Sequence, residues 1–328
     1  MQDCLKFKYT MQDIAALFDD AIILSICNTS AFQRLRGISF LGAVEKAPEY
    51  SKRRHNRFDH SIGVALLAQY YAKRLEFSKK DRIKVVMAAL LHDIGHAPLS
   101  HSIEPLFAER FGLDHHVATT RILRGEIGLG SDLHSTLSQN SVDIDEIIGL
   151  MAGEDGGRLG CIFSSPINID TIEAIWRGGT YVHKQFFNPI SVLDAFIDKD
   201  FKSGSIVDRF WNEKNSFYWL MIYSSEGVAA DYWARERIGS SPKELSCDDF
   251  YLTEKHFLSK HVCEAARVVS KAEVDIKVRT FEVVDENEVS CYDDLSKRYK
   301  VVKGRRSLLL EPPIRKNEVI PQPPLILI

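Results

Sequence analysis

The sequence predicts a mainly α protein with a smaller C-terminal α+β appendage. Apolar residues recur at helical spacing over most of residues 1–200, with capping residues and glycines where these segments begin and end. Alternation typical of strands occurs near the C-terminus, at 275–285 and 301–311. We therefore expect a helical domain over residues 1–200. The C-terminal region, 201–328, should hold helices, a short strand pair and an extended tail.

The apolar pattern gives the helices in chain order. The predicted helical segments are 13–26, 31–41, 62–77, 78–91, 102–124, 142–153 and 167–179. Ser78 begins a capping pattern that ends at Asp81, and a Gly/Ser-rich stretch at 125–140 is expected to form a loop. Arg34, in the second segment, is interpreted as part of a solvated helix face.

Composition limits the class of protein. Of 328 residues, 45% are hydrophobic, the net charge is −3 and the pI is about 6.4, so nothing indicates a general nucleic-acid or membrane-surface binder. Six scattered cysteines without a C-x-x-C pair favour a reducing compartment over a disulfide framework or a zinc ribbon. No secretory signal and no long apolar run is apparent, so we expect a cytoplasmic protein without a membrane span.

The stretch AALLHDIGHAPLSH (88–101) has the highest concentration of side chains able to bind a metal or take part in catalysis. It places His92 and Asp93 at the end of a buried helix, with His96 and His101 close behind. Neighbouring helical side chains diverge by about 100°, so a shared ion would need further ligands from distant segments. His60, at a helix start, and Asp170 are the candidates. A mixed imidazole and carboxylate shell favours borderline divalent metals.

These residues resemble a known family. RFDHS (57–61), then LLHDIGHAPLSH (90–101), a histidine near 115 and an aspartate near 170 are similar to the HD-domain metal-dependent phosphohydrolases. FQRLRGISFLG (32–42) looks most like the branch of deoxynucleoside-triphosphate triphosphohydrolases related to the SAM-and-HD-domain protein. The resemblance covers roughly residues 20–200 and implies an HD-domain helical bundle as the core of the fold.

The resemblance also implies a site. The metal ligands of one divalent ion (Fe, Mn, Mg, Co or Zn) would be His60, His92, Asp93 and Asp170. His96 and His101 would face the phosphates and take part in catalysis, and Arg57 would contact phosphate. His115 would assist the leaving group, or His116 if the register slips by one. The competing structural interpretations are a helix cap for His96, a loop carbonyl contact for His101 and a surface position for His115.

One segment departs from the family pattern. Where the deoxynucleotide enzymes have a lysine, a tyrosine and an aspartate, this chain has Thr171, Ala174 and Gly178. Ala174 and Gly178 are expected to leave room for a 2′-hydroxyl or a larger group. Arg177 and Lys184 are candidate substitutes for phosphate contact. The basic residues 52–54 either form a solvated loop or attract the anionic substrate.

The resemblance implies a metal-dependent phosphohydrolase that acts on a nucleotide. The leading version is a (d)NTP triphosphohydrolase-like enzyme with altered sugar specificity. The alternatives are a phosphodiesterase, nucleotidase or nuclease on another phosphorylated substrate, and a non-catalytic subunit that senses nucleotides. The expected partner is a nucleotide or other phosphorylated small molecule, with nucleic acid left open but not favoured. The apolar tail LILI (325–328) makes a homo-oligomer an expectation.

Overall fold

A computed structural model of the chain describes residues 5–47, 50, 54–154, 157–182, 187–199, 206–241, 243–261, 282–285 and 299–302. The α-helices are α1 (Met11–Leu17), α2 (Ala21–Cys27), α3 (Ser30–Arg34), α4 (Arg57–Arg74), α5 (Lys79–Leu91), α6 (Glu104–Phe111), α7 (His115–Leu123), α8 (Ser131–Gln139), α9 (Ile144–Ala152), α10 (Cys161–Ser164), α11 (Ile169–Gly178), α12 (Pro189–Asp198), α13 (Ile206–Phe217), α14 (Ser225–Gly239) and α15 (Glu254–His261). The prediction of a mainly α fold is confirmed.

Short turns of other helix types join these elements. They are the 3-10 turns Leu35–Gly37, Val44–Lys46, Ser100–Ser102, Gly128–Gly130 and Cys247–Tyr251, and the π-helical turn Tyr218–Ile222. None of the helices in the described ranges is both long and apolar enough to cross a bilayer.

The helix pair α4 and α5 forms the centre of the fold. Almost every residue of α4 is buried, and the second half of α5, from Val85 to Leu91, is buried on all sides. Burial of each Val, Leu, Ile, Phe or Met side chain among them contributes about 1.5–3 kcal/mol through removal from water. Asn56 caps α4 and Ser78 caps α5 through side-chain bonds to backbone N–H groups, which fixes where both helices begin. The caps thereby set the positions of the polar residues at the helix ends.

Four predicted segments differ from the structure. The helix expected over 13–26 is two helices, α1 and α2, separated where Phe18 is extended, and the helix expected over 31–41 ends at Arg34 and continues only as the 3-10 turn Leu35–Gly37. The expected loop at 125–140 contains α8, because Leu133 and Leu137 bury one helical face four residues apart. The single helix expected over 102–124 is two helices, α6 and α7, separated at Gly112. That glycine adopts a left-handed backbone (φ +60°) that ends α6.

Arg34 also differs from its interpretation as a solvated residue. It is only 6% exposed, and its guanidinium donates to the carbonyl oxygens of Ile94, His96 and Leu252. The solvated-face interpretation is wrong for this residue. Arg34 connects the segment after α5 with the segment before α15.

Two hydrophobic clusters cross the expected boundary near residue 200. The larger includes residues of α4, α5 and α11 together with Phe210 and Trp211 of α13. The smaller packs Leu99 and Phe107 against residues of α14 and α15, such as Trp233. Among the described residues, the C-terminal helices therefore share both cores with the predicted first domain.

The C-terminal strand prediction is partly matched. Strand β1 (Glu282–Asp285) and strand β2 (Tyr299–Val302) pair in parallel, with Glu282 opposite Tyr299 and Asp285 opposite Val302. β1 lies at the end of the predicted strand 275–285, and β2 begins two residues before the predicted 301–311. The tail, including LILI, lies outside the described residues.

Glu45 is a buried acid within the 3-10 turn Val44–Lys46. It is 1% exposed, and the Tyr181 hydroxyl donates a hydrogen bond to its carboxylate. Burial outweighs this bond and raises the pKa of Glu45 to about 7. The folded chain therefore holds a proton here at pH values where an unfolded glutamate would have lost it.

Candidate metal centre

The four predicted metal ligands converge where three helix ends meet. His60 lies in the first turn of α4, His92 and Asp93 directly follow α5, and Asp170 lies in the first turn of α11. The His60 Nε2 is 3.0 Å from Asp170 Oδ1 and 3.5 Å from Asp93 Oδ2. The His92 Nε2 is 3.3 Å from Asp93 Oδ1 and 3.7 Å from Asp170 Oδ1. Ligand atoms of His60, His92 and Asp93 all lie within 4.8 Å of one another, close enough to hold one ion, and Asp170 lies beside the two histidines.

The orientation of His92 supports a metal in that space. Its Nδ1 lies 2.8 Å from the Ala89 carbonyl oxygen, and a hydrogen bond there makes Nδ1 the protonated nitrogen. Nε2 then presents a lone pair to the site. This nitrogen is buried and makes no well-formed hydrogen bond among the described residues, although the Asp93 and Asp170 carboxylates lie 3.3 and 3.7 Å away. A buried, unsatisfied nitrogen is costly unless a ligand such as a metal ion satisfies it.

The local charges also fit a cation. Burial alone would lower the pKa of His60, but the carboxylates of Glu173, Asp170 and Asp93 outweigh it and raise that pKa to about 9. Burial opposes the ionisation of Asp93, yet the charges of Arg57 and the adjacent histidines hold its pKa well below the usual range. A divalent cation here would take the place of the His60 proton. Two imidazoles and two carboxylates suit a borderline divalent metal without selecting one.

Glu173 is a functional residue that the sequence prediction missed. It lies on α11, is fully buried, and its Oε2 is 2.5 Å from His60 Nδ1. A carboxylate on the outer nitrogen of a histidine fixes which nitrogen faces the metal. Gly63 makes room for this contact, because a Cβ at that position would lie 2.4 Å from Glu173 Oε1.

The prediction that Arg177 contacts phosphate needs correction. Arg177 is 0% exposed, and its Nε donates to Glu173 at 2.9 Å. The remaining nitrogens donate to backbone carbonyl oxygens, among them those of Phe7 and Asp59 at 3.0 Å. Arg177 therefore holds Glu173, which in turn holds His60. The spacing of Glu173 and Arg177, four residues apart on a helix, was the signal available in the sequence.

Arg57, the predicted phosphate contact, lies beside the candidate metal ligand Asp93. It is 5% exposed, its Nη1 donates to Asp93 Oδ2 at 2.6 Å, and its Nε donates to Ser100 Oγ at 3.1 Å. The bond to Asp93 orients that carboxylate toward the ligand space. Ser100 was not among the predicted residues, since a lone serine after the HD stretch carries no distinctive pattern.

The three other predicted histidines form a row next to Asp93. The His96 Nε2 is 3.1 Å from Asp93 Oδ1, and the His96 ring stacks on that of His115 with centroids 4.5 Å apart. His101 meets both rings edge-on, at centroid distances of 4.7 Å and 5.3 Å, and its side chain is 63% exposed. The row thus leads from the metal ligands to solvent.

Glu104 is the second functional residue that the sequence prediction missed. His115 Nδ1 lies 2.7 Å from Glu104 Oε2, and the His115 backbone N–H also donates to that carboxylate. Burial raises the pKa of Glu104, but the hydrogen bonds with His101 and His115 outweigh it and hold the pKa well below the usual range. His115 is thereby fixed in the row, whereas the neighbouring His116 contacts it from outside at 4.0 Å between centroids.

Phe217 packs against Gly178, in the segment 171–178 that departs from the family pattern. A Cβ on Gly178 would lie 2.5 Å from Cε2 of the Phe217 ring, so the room expected beside this glycine is already filled. Thr171 and Ala174 are partly exposed. The open part of this wall is therefore near Thr171 and Ala174. Lys184, Lys52 and Arg53 lie outside the described residues.

Comparison with known proteins agrees with this geometry. Residues 57–151 match the HD domain family, a range that holds three of the four candidate ligands. An uncharacterized protein of Bacillus subtilis, YwfO, is 25% identical over 299 residues, covering 85% of this chain and 66% of its own length.

Further similarity is to proteins named deoxynucleoside triphosphate triphosphohydrolase SAMHD1. The chicken protein is 28% identical over 193 residues, which are 53% of this chain and 30% of the relative. The zebrafish protein is 39% identical over 93 residues, which are 26% of this chain and 15% of the relative. The chain thus spans less than two thirds of the length of each of these relatives.

Proposed function

We propose that the chain is a metal-dependent phosphohydrolase acting on a nucleotide, because residues 57–151 match the HD domain family. The observation that carries the proposal is the convergence of His60, His92, Asp93 and Asp170 beside a row of histidines. When bound, a divalent ion supplies Lewis acidity toward a phosphoryl oxygen and lowers the pKa of a coordinated water. The histidine row and Arg57 lie where the remaining phosphate charge would be placed.

Each side chain around the candidate centre has a proposed role that follows from its position. Arg57 uses Nη1 and Nε for Asp93 and Ser100, which leaves Nη2 for a phosphate oxygen. His101 is the exposed end of the row and is suited to the distal phosphates. His115 donates from Nδ1 to Glu104, so its Nε2 is the atom that would hand a proton to the leaving oxygen. Glu104 stabilises the protonated ring, as a carboxylate does behind a catalytic histidine.

The substrate we favour is a nucleoside triphosphate or deoxynucleoside triphosphate. Support comes from the relatives named as deoxynucleoside triphosphate triphosphohydrolases. The changed wall favours a sugar preference different from theirs, because Thr171 and Ala174 offer small side chains and Phe217 fills the space at Gly178. The same observation supports a second candidate, hydrolysis of another phosphorylated substrate by a phosphodiesterase, nucleotidase or nuclease activity.

An assay panel with metal-loaded protein tests these candidates. The expected result is release of tripolyphosphate from at least one NTP or dNTP, with loss of both metal and turnover in the Asp170→Ala variant. Hydrolysis of a monophosphate, cyclic nucleotide or oligonucleotide without tripolyphosphate release would favour the second candidate. Metal-free protein that binds nucleotide without turnover would instead support a nucleotide-sensing subunit. The metal identity, a cytoplasmic location and homo-oligomer formation stay predictions.

A further inference from the structure

Glu254, the first residue of α15, reaches two loops that border the metal centre. It is 7% exposed, and its Oε1 accepts hydrogen bonds from the backbone N–H groups of Ser39 at 2.6 Å and Leu99 at 3.2 Å. The Ser39 hydroxyl also donates to Oε1, and Lys46 Nζ donates to Oε2 at 2.9 Å. One carboxylate from the C-terminal region therefore satisfies four donors that all belong to the N-terminal part of the chain.

The loop that Glu254 contacts has an uncommon backbone. Leu99 and Ser100 both adopt left-handed conformations, with φ of 58° and 46°. Residues with a Cβ seldom occupy this region, and such conformations persist only where surrounding contacts impose them. The bond from the Leu99 N–H to Glu254 is such a contact. Arg34 adds a second tie, since it donates to the carbonyl oxygens of both His96 and Leu252.

A hydrogen-bond chain continues from this loop to the metal ligands. The Ser100 hydroxyl donates to the Ser39 carbonyl oxygen at 2.6 Å and accepts from Arg57 Nε at 3.1 Å. Arg57 in turn donates to Asp93 Oδ2 at 2.6 Å. The backbone that Glu254 fixes therefore determines where Ser100 holds the guanidinium of Arg57, and through it the Asp93 carboxylate.

We propose that Glu254 is a positioning residue for the metal centre, acting through Ser39 and Ser100 on Arg57 and Asp93. It touches neither the ligand space nor the histidine row. The turnover readout of this proposal rests on the proposed phosphohydrolase function, whereas the binding and spectroscopic readouts do not.

Glu254→Gln is the informative substitution. The amide keeps the size of the side chain but has one oxygen in place of two, and its NH2 group faces donors that the carboxylate accepted. With the amide oxygen at the Oε1 position, the NH2 group faces Lys46, which loses its acceptor. The three donors that shared Oε1 then have only a neutral acceptor, so the anchor of the Leu99–Ser100 turn is weakened.

Asp249→Asn is the matched control. Asp249 is also a buried carboxylate of the C-terminal region, 2% exposed, with three hydrogen bonds. Its donors are the backbone N–H of Ser246 at 2.9 Å, Lys260 at 2.6 Å and His261 at 3.0 Å, all within the C-terminal region. This variant loses comparable bonds without touching the loops at the metal centre.

Three measurements on the full-length, Co²⁺-loaded protein test the proposal. They are the affinity for inorganic tripolyphosphate by calorimetry, the visible absorption spectrum of Co²⁺, and kcat and KM on whichever nucleotide the wild type hydrolyses. We expect E254Q to weaken tripolyphosphate binding and to lower kcat by about 10-fold or more, and to alter the Co²⁺ spectrum. D249N should stay close to the wild type in tripolyphosphate affinity, Co²⁺ spectrum and kinetic constants. Urea unfolding should show that D249N is nevertheless less stable than the wild type.

The proposal fails if E254Q and D249N change tripolyphosphate affinity and the Co²⁺ spectrum alike, since Glu254 would then be purely structural. If the wild type hydrolyses no nucleotide, the first two measurements still decide the positioning role, and only the proposed function is refuted. If E254Q does not fold, the E254Q/K46M variant allows the same comparison. It also removes the Lys46 ammonium group, which would otherwise face the NH2 group of the introduced glutamine.

Discussion

Replacing Glu173 by glutamine tests whether the buried Arg177–Glu173–His60 chain holds the metal ligand in place. The substitution conserves size but removes the charge between His60 Nδ1, at 2.5 Å, and Arg177 Nε, at 2.9 Å. Both partners are 0% exposed, so water cannot replace the lost contacts. We expect two separable consequences, a loss of stability and a loss of metal affinity.

The size of each effect follows from burial. Leaving Arg177 without its carboxylate in the interior should lower the free energy of unfolding by about 3–5 kcal/mol. Loss of the carboxylate behind His60 should weaken metal binding by about 10–100-fold, equivalent to about 1.4–2.7 kcal/mol. The E173Q/R177M double variant removes both buried charges. It should recover much of the stability but none of the metal affinity.

The assay is urea unfolding together with Co²⁺ titration against a competing chelator. His60 has a pKa of about 9 without a cation, so titrations at pH 7 and pH 8.5 separate ligand orientation from competition with the proton. Asp59→Asn is the control, because this buried carboxylate accepts from the Tyr9 N–H at 2.8 Å, and the substitution leaves in place the backbone carbonyl oxygen to which Arg177 donates. Unchanged metal affinity in E173Q at both pH values would refute the reasoning.

Three further outcomes are expected. The pKa of Glu45 is about 7 in the folded protein, above its ordinary value of 4.5. The contribution of protonated Glu45 to the free energy of unfolding is therefore complete below pH 4.5 and is lost as the pH rises to about 7. This amounts to roughly 3 kcal/mol between urea unfolding at pH 4.5 and pH 8, and E45Q should remove that difference. Gly178→Ala should cost about 1–3 kcal/mol in urea unfolding through overpacking, whereas Gly128→Ala, with no neighbour within 4 Å, should change stability little. A chain ended after residue 200 should lack a cooperative unfolding transition, because the fully buried Trp211 belongs to the same core as α4 and α5. A cooperative transition would support the predicted boundary.

The sequence allowed a good prediction of which residues meet at the candidate centre. His92 and Asp93 form a recognisable pair, and the resemblance to the HD-domain phosphohydrolases added His60 and Asp170 as candidate ligands. The structure places both of these residues in the first turns of capped helices. The residues that orient these ligands were not predicted. Glu173 and Glu104 look like ordinary polar residues of amphipathic helices, and only the packing shows that each one faces a histidine.

The wrong interpretations of Arg34 and Arg177 have a common physical origin. Arginine in a helix is usually solvated, and near a predicted phosphate site it is readily taken as a phosphate contact. Burial of a guanidinium requires several acceptors at once, and these come from segments far apart in sequence. Arg34 finds them 60, 62 and 218 residues away, and Arg177 finds them 4, 118 and 170 residues away. Such acceptors are backbone carbonyl oxygens in large part, and every residue supplies one, so no sequence pattern marks them.

The contribution of the C-terminal region follows the same logic. Its predicted role was that of an appendage, because its motifs carry no recognisable chemistry after about residue 190. Yet Glu254 and the Leu252 carbonyl oxygen supply the acceptors that the loops around Ser39 and Leu99 need. A strained turn beside a metal centre has to be held from outside, and the two hydrophobic clusters show that α13 to α15 are packed closely enough to do so. The proposed chemistry therefore rests on the HD stretch, whereas the proposed positioning of its ligands depends on residues more than 150 positions later.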